Sequence, residues 1–422
     1  MNSKTIGNIF KGDKVIWMIF FFLCMISIIE VYSASSSLTY KSENYMGPVI
    51  KHMGLLGLGI LTMICMLKVK CKYFKIVTPF VLGFSFLLLI WALVAGQSAN
   101  GASRWINLVG FNFQPSELAK GAVILAVAQI LSAMQTENGA NNRAFKFILV
   151  AVAPFVFLIG LENLSTAMLL CVTILCMMIV GRIPMKLIGI LVGTVLIAIS
   201  LILGTIMIIG HDDQETVKPE NTLTENVTKE EPSTAGKLFH RADTWKARID
   251  KFLDSKPVAP EDVDLNKDAQ VAHANIAIAS SNIAGKGPGN SVERDFLSQA
   301  YSDFIYSIII EEMGIEGAIA VAMLYIFLLF RVGRIANRCE NNFPAFLAMG
   351  LAILLVIQAL FNMMVAVGLA PVTGQPLPLI SRGGTSTVIN CVYLGIILSI
   401  SRTAKKKDGN QNAHHEAKIA VA

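Results

Sequence analysis

Apolar runs of about the length needed to cross a bilayer recur along almost all of this 422-residue chain. A transmembrane helix requires about 20 predominantly apolar residues. Ten segments meet or approach that length: 13–34, 49–67, 74–95, 117–134, 145–161, 165–181, 186–209, 303–331, 343–369 and 384–402. Only 15% of the residues are charged, against roughly 25% in soluble domains. The sequence therefore predicts an all-α integral membrane protein with about ten transmembrane helices.

One stretch leaves the helix count open. Glu162 and Asn163 interrupt the apolar residues between 145 and 181. Polar residues at that place indicate either a short turn between two spans or a kink within one longer helix. We prefer two spans, because the segments rich in Lys and Arg alternate consistently with ten spans.

The positions of Lys and Arg predict the orientation. Short segments at residues 4–14, 68–75, 143–146, 182–186, 331–338 and 402–407 carry most of these cations. Cytoplasmic loops are enriched in Lys and Arg, so both termini are expected in the cytoplasm. Residues 1–402 then form the membrane domain, with a large extracytoplasmic loop at 210–302 between helices 7 and 8, and residues 403–422 form a cytoplasmic tail. Cations scattered over membrane edges also argue against a nucleic-acid partner.

The large loop has two parts. Residues 211–233 are rich in Asp, Glu, Thr, Asn and Pro, a composition typical of disorder. Residues 244–253 have the spacing of an amphipathic helix with a basic face, lying either on the membrane or against the bundle. A second helix is predicted at 270–284. None of the seven cysteines falls in this loop, which argues against a disulfide framework, and no spacing indicates a zinc site.

Asp303 is the first candidate for chemistry. It lies where the polar loop meets the eighth apolar run, shortly after the glycine-rich segment 285–291. A carboxylate at a membrane face is costly unless it is paired, solvated or used. Asp303 is therefore predicted to be catalytic, and Lys286 of the glycine-rich segment is a candidate for substrate binding.

Further candidates lie at the start of the fourth span. Pro115 begins the predicted helix, and Glu117 in its first turn either stabilises the helix dipole or contacts substrate. Lys120, one turn further, is expected to face the interior of the bundle, although snorkelling to the interface is the alternative. Arg104 precedes Trp105 in the loop before this span. It is interpreted as a substrate-binding cation or as an anchor at the lipid headgroups.

The segment 374–386 combines three Gly and two Pro residues just before the last span. Such a segment indicates a broken or re-entrant backbone, which is tolerated at membrane depth only where protein or water satisfies it. A plain loop is the alternative. Gly383 and Gly384 can present backbone N–H groups to an anion. Ser381, Arg382 and Gly383 are therefore candidates for substrate binding.

Seven motifs in this order resemble one known family. They are Val31 to Ser36, Gly101 to Asn107, Gln114 to Lys120, Gly285 to Ser291, Asp303 to Ile305, Glu311 to Gly314 and Pro376 to Ser386. Together they resemble the SEDS family (shape, elongation, division and sporulation) of FtsW and RodA proteins. The segment Gly-Lys-Gly-Pro-Gly-Asn-Ser is similar to the FtsW form of this loop rather than the RodA form.

The resemblance implies a peptidoglycan glycosyltransferase of the inner (cytoplasmic) membrane, with its active site on the extracytoplasmic face. The implied substrate is lipid II, an undecaprenyl-pyrophosphate-linked disaccharide peptide. The implied partners are a class b penicillin-binding transpeptidase and, at the division septum, other divisome proteins, besides membrane lipid. Asp303 matches the family's essential aspartate, Lys120 its lysine in the fourth span, and Arg104 its arginine before tryptophan. Arg382 departs from the family pattern, where Tyr is common.

A mechanism follows as a hypothesis. A sugar hydroxyl needs a base in the transition state, which Asp303 supplies. The departing pyrophosphate needs positive charge, which Lys120, Arg104 or a divalent cation (Mg or Mn) supplies; no other cofactor is expected. The alternatives are a lipid II flippase, a scaffold that recruits the transpeptidase, and a RodA-like polymerase of elongation. The residues alone leave enzyme and transporter nearly level.

Overall fold

The computed structural model describes residues 11–34, 47–99, 102–108, 111–137, 139–209, 269–297 and 300–420. Ten helices coincide with the ten predicted spans. They are α1 (Lys14–Ala34), α2 (Gly47–Lys68), α3 (Cys71–Ala95), α4 (Pro115–Ala133), α5 (Asn142–Glu162), α6 (Leu164–Val180), α7 (Met185–Ile209), α9 (Ile305–Ala336), α10 (Asn342–Ala366) and α11 (Thr385–Ala420). A further helix, α8 (Ala269–Ser280), precedes the glycine-rich segment.

The helical membrane fold is confirmed. Eight of the described helices are long and apolar enough to cross a membrane, and α6 and the first half of α7 are apolar but shorter. The placement of both termini in the cytoplasm stays a prediction. Two compact units divide the chain, one made of residues 1–185 and 263–422 and the other of residues 186–262. The larger unit contains every predicted site residue.

Two segments of the large loop, 211–233 and 244–253, lie outside the described residues. The helix predicted at 270–284 is present as α8, which ends four residues earlier, at Ser280. Within this helix, the side chain of His273 forms a 2.7 Å hydrogen bond to the carboxylate of Glu293. This contact joins the helix to the residues that follow the glycine-rich segment.

Asn163 explains the interruption between α5 and α6. It is the only residue between the two helices, and its backbone is extended, with φ −152° and ψ 95°. Its side-chain oxygen accepts a 3.2 Å hydrogen bond from the amide of Thr166, as in a helix N-cap. Two helices joined by a one-residue break are therefore present, rather than one kinked helix.

Burial separates inner from outer helices. Most of α4, α10 and the first five turns of α11 is buried, whereas only 28% of the most apolar stretch of each of α2, α3 and α5 is buried. Phe80, Val94 and Val150 are among the most exposed apolar side chains. Exposed apolar surface of this extent marks a membrane-facing protein, so the outer helices face lipid and α4, α10 and α11 form the core.

Short strands connect α3 to α4, in a region treated above as a loop. β1 (Gln97–Ala99), β2 (Ala102–Leu108) and β3 (Phe111–Phe113) form an antiparallel sheet in that order. Ile106 of β2 is buried against Leu88 and Ala92 of α3. A second pair, β4 (Gln135–Thr136) and β5 (Gly139–Ala140), lies between α4 and α5. The sequence of β2, Ala-Ser-Arg-Trp-Ile-Asn-Leu, does not alternate strictly between polar and apolar residues and so gave little signal for a strand.

α9 is kinked at Gly314, whose φ of 69° and ψ of −171° are not helical. The glycine-rich segment packs against this kink. The amide of Lys286 donates to the carbonyl of Glu311 at 2.9 Å, and that of Gly287 donates to the carbonyl of Glu312 at 2.8 Å. A Cβ on Gly314 would lie 2.1 Å from the carbonyl oxygen of Ile283. The two backbones therefore approach closely only because this position has no side chain.

Candidate active site

A non-helical segment between α10 and α11 runs through the interior of the bundle. Residues 375 and 377–381 of this segment are buried. Side chains of the surrounding helices satisfy its carbonyl groups. The hydroxyl of Tyr325 in α9 donates to Pro378, and that of Ser27 in α1 donates to Ile380 at 2.7 Å. The segment is thus the broken, protein-satisfied backbone expected from its Gly and Pro content.

Asp303 lies beside this segment, two residues before α9 begins. Its carboxylate is half-buried and accepts a 3.0 Å hydrogen bond from the Ser302 hydroxyl. A Cβ built on Gly374 would lie 3.4 Å from the second carboxylate oxygen. Gly374 also has a φ of 69°. A residue with no side chain in a left-handed conformation therefore brings the backbone of the broken segment against the carboxylate.

α10 holds Asp303 and the broken segment together. The side-chain amide of Asn362 donates to the carbonyl of Asp303 at 2.8 Å and to that of Gln375 at 2.7 Å. One turn earlier, the amide of Gln358 donates to the carbonyl of Pro376 at 3.3 Å. These two residues at i and i+4 share one face of α10. That face fixes the backbone at Asp303 relative to the broken segment.

Lys120 is fully buried, as expected for a residue that faces the bundle interior. Its ammonium group lies 2.8 Å from a carboxylate oxygen of Glu117 and 3.1 Å from the side-chain oxygen of Gln358. The other oxygen of Glu117 has no hydrogen-bond partner among the described residues. Gln358 therefore joins the Glu117–Lys120 pair to the broken segment, and snorkelling of Lys120 to the interface is excluded.

Ser381, Arg382 and Gly383 form the other side of the site. The hydroxyl of Ser381 donates to the carbonyl of Ser302 at 2.6 Å, next to Asp303. The amide of Arg382 donates to the carbonyl of Tyr301 at 3.0 Å, and its guanidinium carbon lies 5.2 Å from the centre of that ring. Because of these contacts, a half-buried cation lies next to the segment that carries Asp303.

Lys286 lies in a different cluster. Its ammonium group donates to a carboxylate oxygen of Glu311 at 2.6 Å and to the hydroxyl of Ser280 at 2.9 Å. The other oxygen of Glu311 accepts from the hydroxyl of Ser291 at 2.5 Å. These contacts give Lys286 a structural role in holding the glycine-rich segment on α9. Its predicted role in substrate binding is not tested by them.

Glu312 completes the same cluster. Its side chain accepts hydrogen bonds from the amides of Gly289 at 2.8 Å and Ser291 at 3.2 Å, and from the hydroxyl of Ser33 in α1. Arg294 donates to the Ser33 hydroxyl at 2.9 Å. Buried carboxylates require such partners, so the glycine-rich segment serves as their hydrogen-bonding cage.

Arg104 lies in β2. Its side chain is outside the described part of the structure, so its predicted contact with substrate stays a prediction. No group of three or more His, Cys, Asp or Glu residues able to hold a metal ion occurs among the described residues. Mg²⁺ is often held by only one or two carboxylates together with substrate phosphates. Among the described residues, Asp303 supplies a carboxylate that lies against the broken segment.

Several polar residues of the site were missed in the sequence. Gln358 and Asn362 are nearly fully buried, and so are Thr166, Gln375 and His52. Gln375 donates to the hydroxyl of Thr166 at 2.7 Å. Polar residues four apart in an apolar span were the available signal, because such residues usually face the bundle interior.

This fold and site define a polytopic helical membrane protein whose polar groups surround a broken segment. A family profile described as "Cell cycle protein", of the FtsW, RodA and SpoVE proteins, matches residues 13–406. The chain belongs to this family, which confirms the resemblance inferred from the motifs.

Curated relatives of the chain are named as peptidoglycan glycosyltransferases. The chain is 30% identical to "Probable peptidoglycan glycosyltransferase FtsW" of Geobacter metallireducens, over 96% of this chain and 99% of that protein. It is 26% identical to "Peptidoglycan glycosyltransferase MrdB" of Escherichia coli K12, over 94% and 96%. Relatives named for both subfamilies therefore match along nearly the whole chain.

Two solved structures resemble the fold. One is a chain from a study of a peptidoglycan synthase complex that coordinates polymerization and crosslinking, with a TM-score of 0.66 and 24% identity, covering 93% of this chain and 98% of that chain. The other is the rod shape determining protein RodA of Thermus thermophilus, with a TM-score of 0.61 and 22% identity, covering 93% and 97%. At these identities the likeness concerns the fold.

Proposed function

We propose that this peptidoglycan glycosyltransferase of the SEDS family joins lipid II units into glycan strands on the extracytoplasmic face of the membrane. The observation that carries the proposal is the position of Asp303. Its carboxylate lies two residues before a membrane helix and against the backbone of the broken segment at Gly374, and Arg382 of that segment contacts Tyr301, two residues before Asp303. A carboxylate base against a broken segment that also carries a cation suits transfer of a sugar from a pyrophosphate.

The proposed step is an inverting displacement. The 4-hydroxyl oxygen of the acceptor sugar forms a bond to the anomeric carbon of the donor, and the bond from that carbon to the pyrophosphate oxygen breaks. The Asp303 carboxylate takes the hydroxyl proton. The lipid pyrophosphate leaves with the electron pair of the broken bond, and Arg382, Lys120 and Arg104 are the proposed sources of positive charge toward it. A divalent cation held by Asp303 and the pyrophosphate would add further charge neutralisation.

Polymer formation by purified protein in detergent tests the proposal. We expect Asp303→Asn to insert normally and to form no polymer from lipid II, because an amide cannot take the proton. Asp295→Asn is the matched control, since Asp295 is an exposed carboxylate in the same part of the chain. Polymerisation by Asp303→Asn at the wild-type rate would remove Asp303 from the base role. Polymer made in detergent also distinguishes the enzyme from a flippase, which needs a sealed vesicle.

We further propose that the chain acts in septal wall synthesis with a class b penicillin-binding transpeptidase and other division proteins. The FtsW-like form of the glycine-rich segment supports division, as does the higher identity to an FtsW-named relative. A solved relative from a synthase complex supports the partner. Depletion of the protein tests the division role: filamentous cells are expected, and rounded cells would instead assign it to elongation.

A further inference from the structure

A basic pocket lies at one edge of the helical bundle, far from the glycine-rich segment in sequence. It has a volume of about 790 Å³ and is formed by the starts of α3 and α10, the end of α4 and residues 402 and 403 of α11. Four cations line it: Lys70, Lys72, Lys75 and Arg402. Ligand pockets typically have volumes of about 300–1,000 Å³, so this pocket can hold a headgroup-sized molecule.

The charge of the basic pocket is not balanced by the protein. Glu340 is the one carboxylate in its lining. None of the four cations forms an ion pair within 4.0 Å with a carboxylate among the described residues. Lys72 lies over the ring of Tyr73, at 5.1 Å. Four cations against one carboxylate leave an excess of positive charge that favours an anion.

Two helices begin at the same pocket. α3 begins at Cys71 and α10 begins at Asn342, and both residues line it. Neither helix has a side-chain cap, and neither has an acidic residue in its first turn. Free N–H groups and the positive end of the dipole make such a helix start favourable for an anion. The uncapped starts therefore add to the excess charge of the side chains.

An apolar surface lies along α3, the helix that begins at the basic pocket. Tyr73, Ile76 and Phe80 are exposed and follow one another at helical spacing. Because α3 is a membrane span, this surface lies at the level of acyl chains. Cations at the start of α3 are thus followed by a lipid-facing apolar surface further along the same helix. This combination fits a lipid better than a soluble anion.

We propose that the basic pocket binds the headgroup of an anionic phospholipid that carries two phosphates, of the cardiolipin type. The cations and the uncapped starts of α3 and α10 contact the phosphates, while an acyl chain lies along Ile76 and Phe80. Basic pockets between spans are a known setting for such headgroups. The site is separate from the proposed active site, so its existence does not depend on the polymerase activity.

Native mass spectrometry of the purified full-length protein tests this proposal with cardiolipin and, for comparison, phosphatidylcholine. We expect cardiolipin to bind preferentially to the wild type. The double variant Lys75→Gln/Arg402→Gln should bind it about 25-fold more weakly, or about fivefold for each charge removed. The matched control is Arg143→Gln/Lys146→Gln, which also removes one Lys and one Arg but from a separate, smaller pocket of about 500 Å³ near the start of α5, where these are the only two cations in the described lining. This control should bind like the wild type.

Four results would overturn the proposal. Equal loss of cardiolipin in both double variants would indicate unspecific surface charge, and unchanged binding in Lys75→Gln/Arg402→Gln would exclude the pocket. Soluble glycerol bisphosphate binding as tightly as cardiolipin would mean that the ligand is a free phosphate compound. Preferential capture of an acidic peptide, with cardiolipin left unbound, would assign the pocket to a protein partner.

Discussion

Replacement of Gly314 by Ala should release the glycine-rich segment from α9. Gly314 adopts φ 69° and ψ −171°, a region that only glycine occupies without strain of about 1–3 kcal/mol. The added Cβ would also lie 2.1 Å from the carbonyl oxygen of Ile283 and 2.5 Å from the amide nitrogen of Gly285. Both contacts are with backbone atoms, so the segment as a whole must move.

The displacement costs the two backbone hydrogen bonds from Lys286 and Gly287 to the kink, which measure 2.9 and 2.8 Å. Each contributes about 0.5–1.5 kcal/mol. The lost hydrogen bonds and the backbone strain together lower the free energy of local opening of the segment by about 2–6 kcal/mol. Since 1.4 kcal/mol corresponds to a factor of ten, the open form becomes at least about 30-fold more populated.

Limited trypsin digestion measures this opening, because Lys286 is a cleavage site within the segment and Arg294, three residues after the segment ends, is another. When opening is fast relative to cleavage, the cleavage rate follows the population of the open form. Gly83→Ala is the control: Gly83 lies in α3, and a Cβ there meets no other atom within 4 Å. Equal cleavage rates at residues 286 and 294 in the two variants would refute the reasoning.

Three further changes test the interior of the site. Lys120→Met should destabilise the protein by about 3–5 kcal/mol, because it leaves Glu117 as an unpaired buried charge; adding Glu117→Gln should recover most of the melting temperature in a detergent thermal-shift assay. Tyr325→Phe should lower stability by about 1–3 kcal/mol by leaving the buried carbonyl of Pro378 without its donor, which the same assay measures against the wild type. Asn362→Leu should preserve insertion but reduce polymer formation at least tenfold, since it removes both hydrogen bonds that fix the catalytic segment. Wild-type polymerisation by Asn362→Leu would contradict its positioning role.

The membrane spans could be predicted because their physical cause is local. A run of about 20 apolar residues partitions into the bilayer wherever it occurs in the chain. The start of α4 could be predicted for the same reason, because Pro115 in the first turn and Glu117 after it are ordinary features of a helix N-terminus. The short strands β1–β3 were missed because each is only three to seven residues long and is stabilised by pairing with its neighbours.

The partners of the candidate residues could not be predicted in the same way. Lys286 and Asp303 lie in the same polar region of the sequence, yet Lys286 pairs with Glu311 while Asp303 lies against the broken segment. Which carboxylate a cation meets depends on the kink at Gly314, a backbone feature that its residue type permits but does not require. The contacts of Asn362 likewise join residues 59 and 13 positions apart.

The sequence by itself determined the number and position of the apolar helices, and it marked Asp303 and Lys120 as charges too costly to be incidental in a membrane. Only the tertiary structure decided which groups satisfy those charges and where the broken segment between α10 and α11 lies. The physical reason is that transfer into a bilayer depends on composition within one helix, whereas a hydrogen bond or ion pair depends on the distance between atoms that separate helices supply.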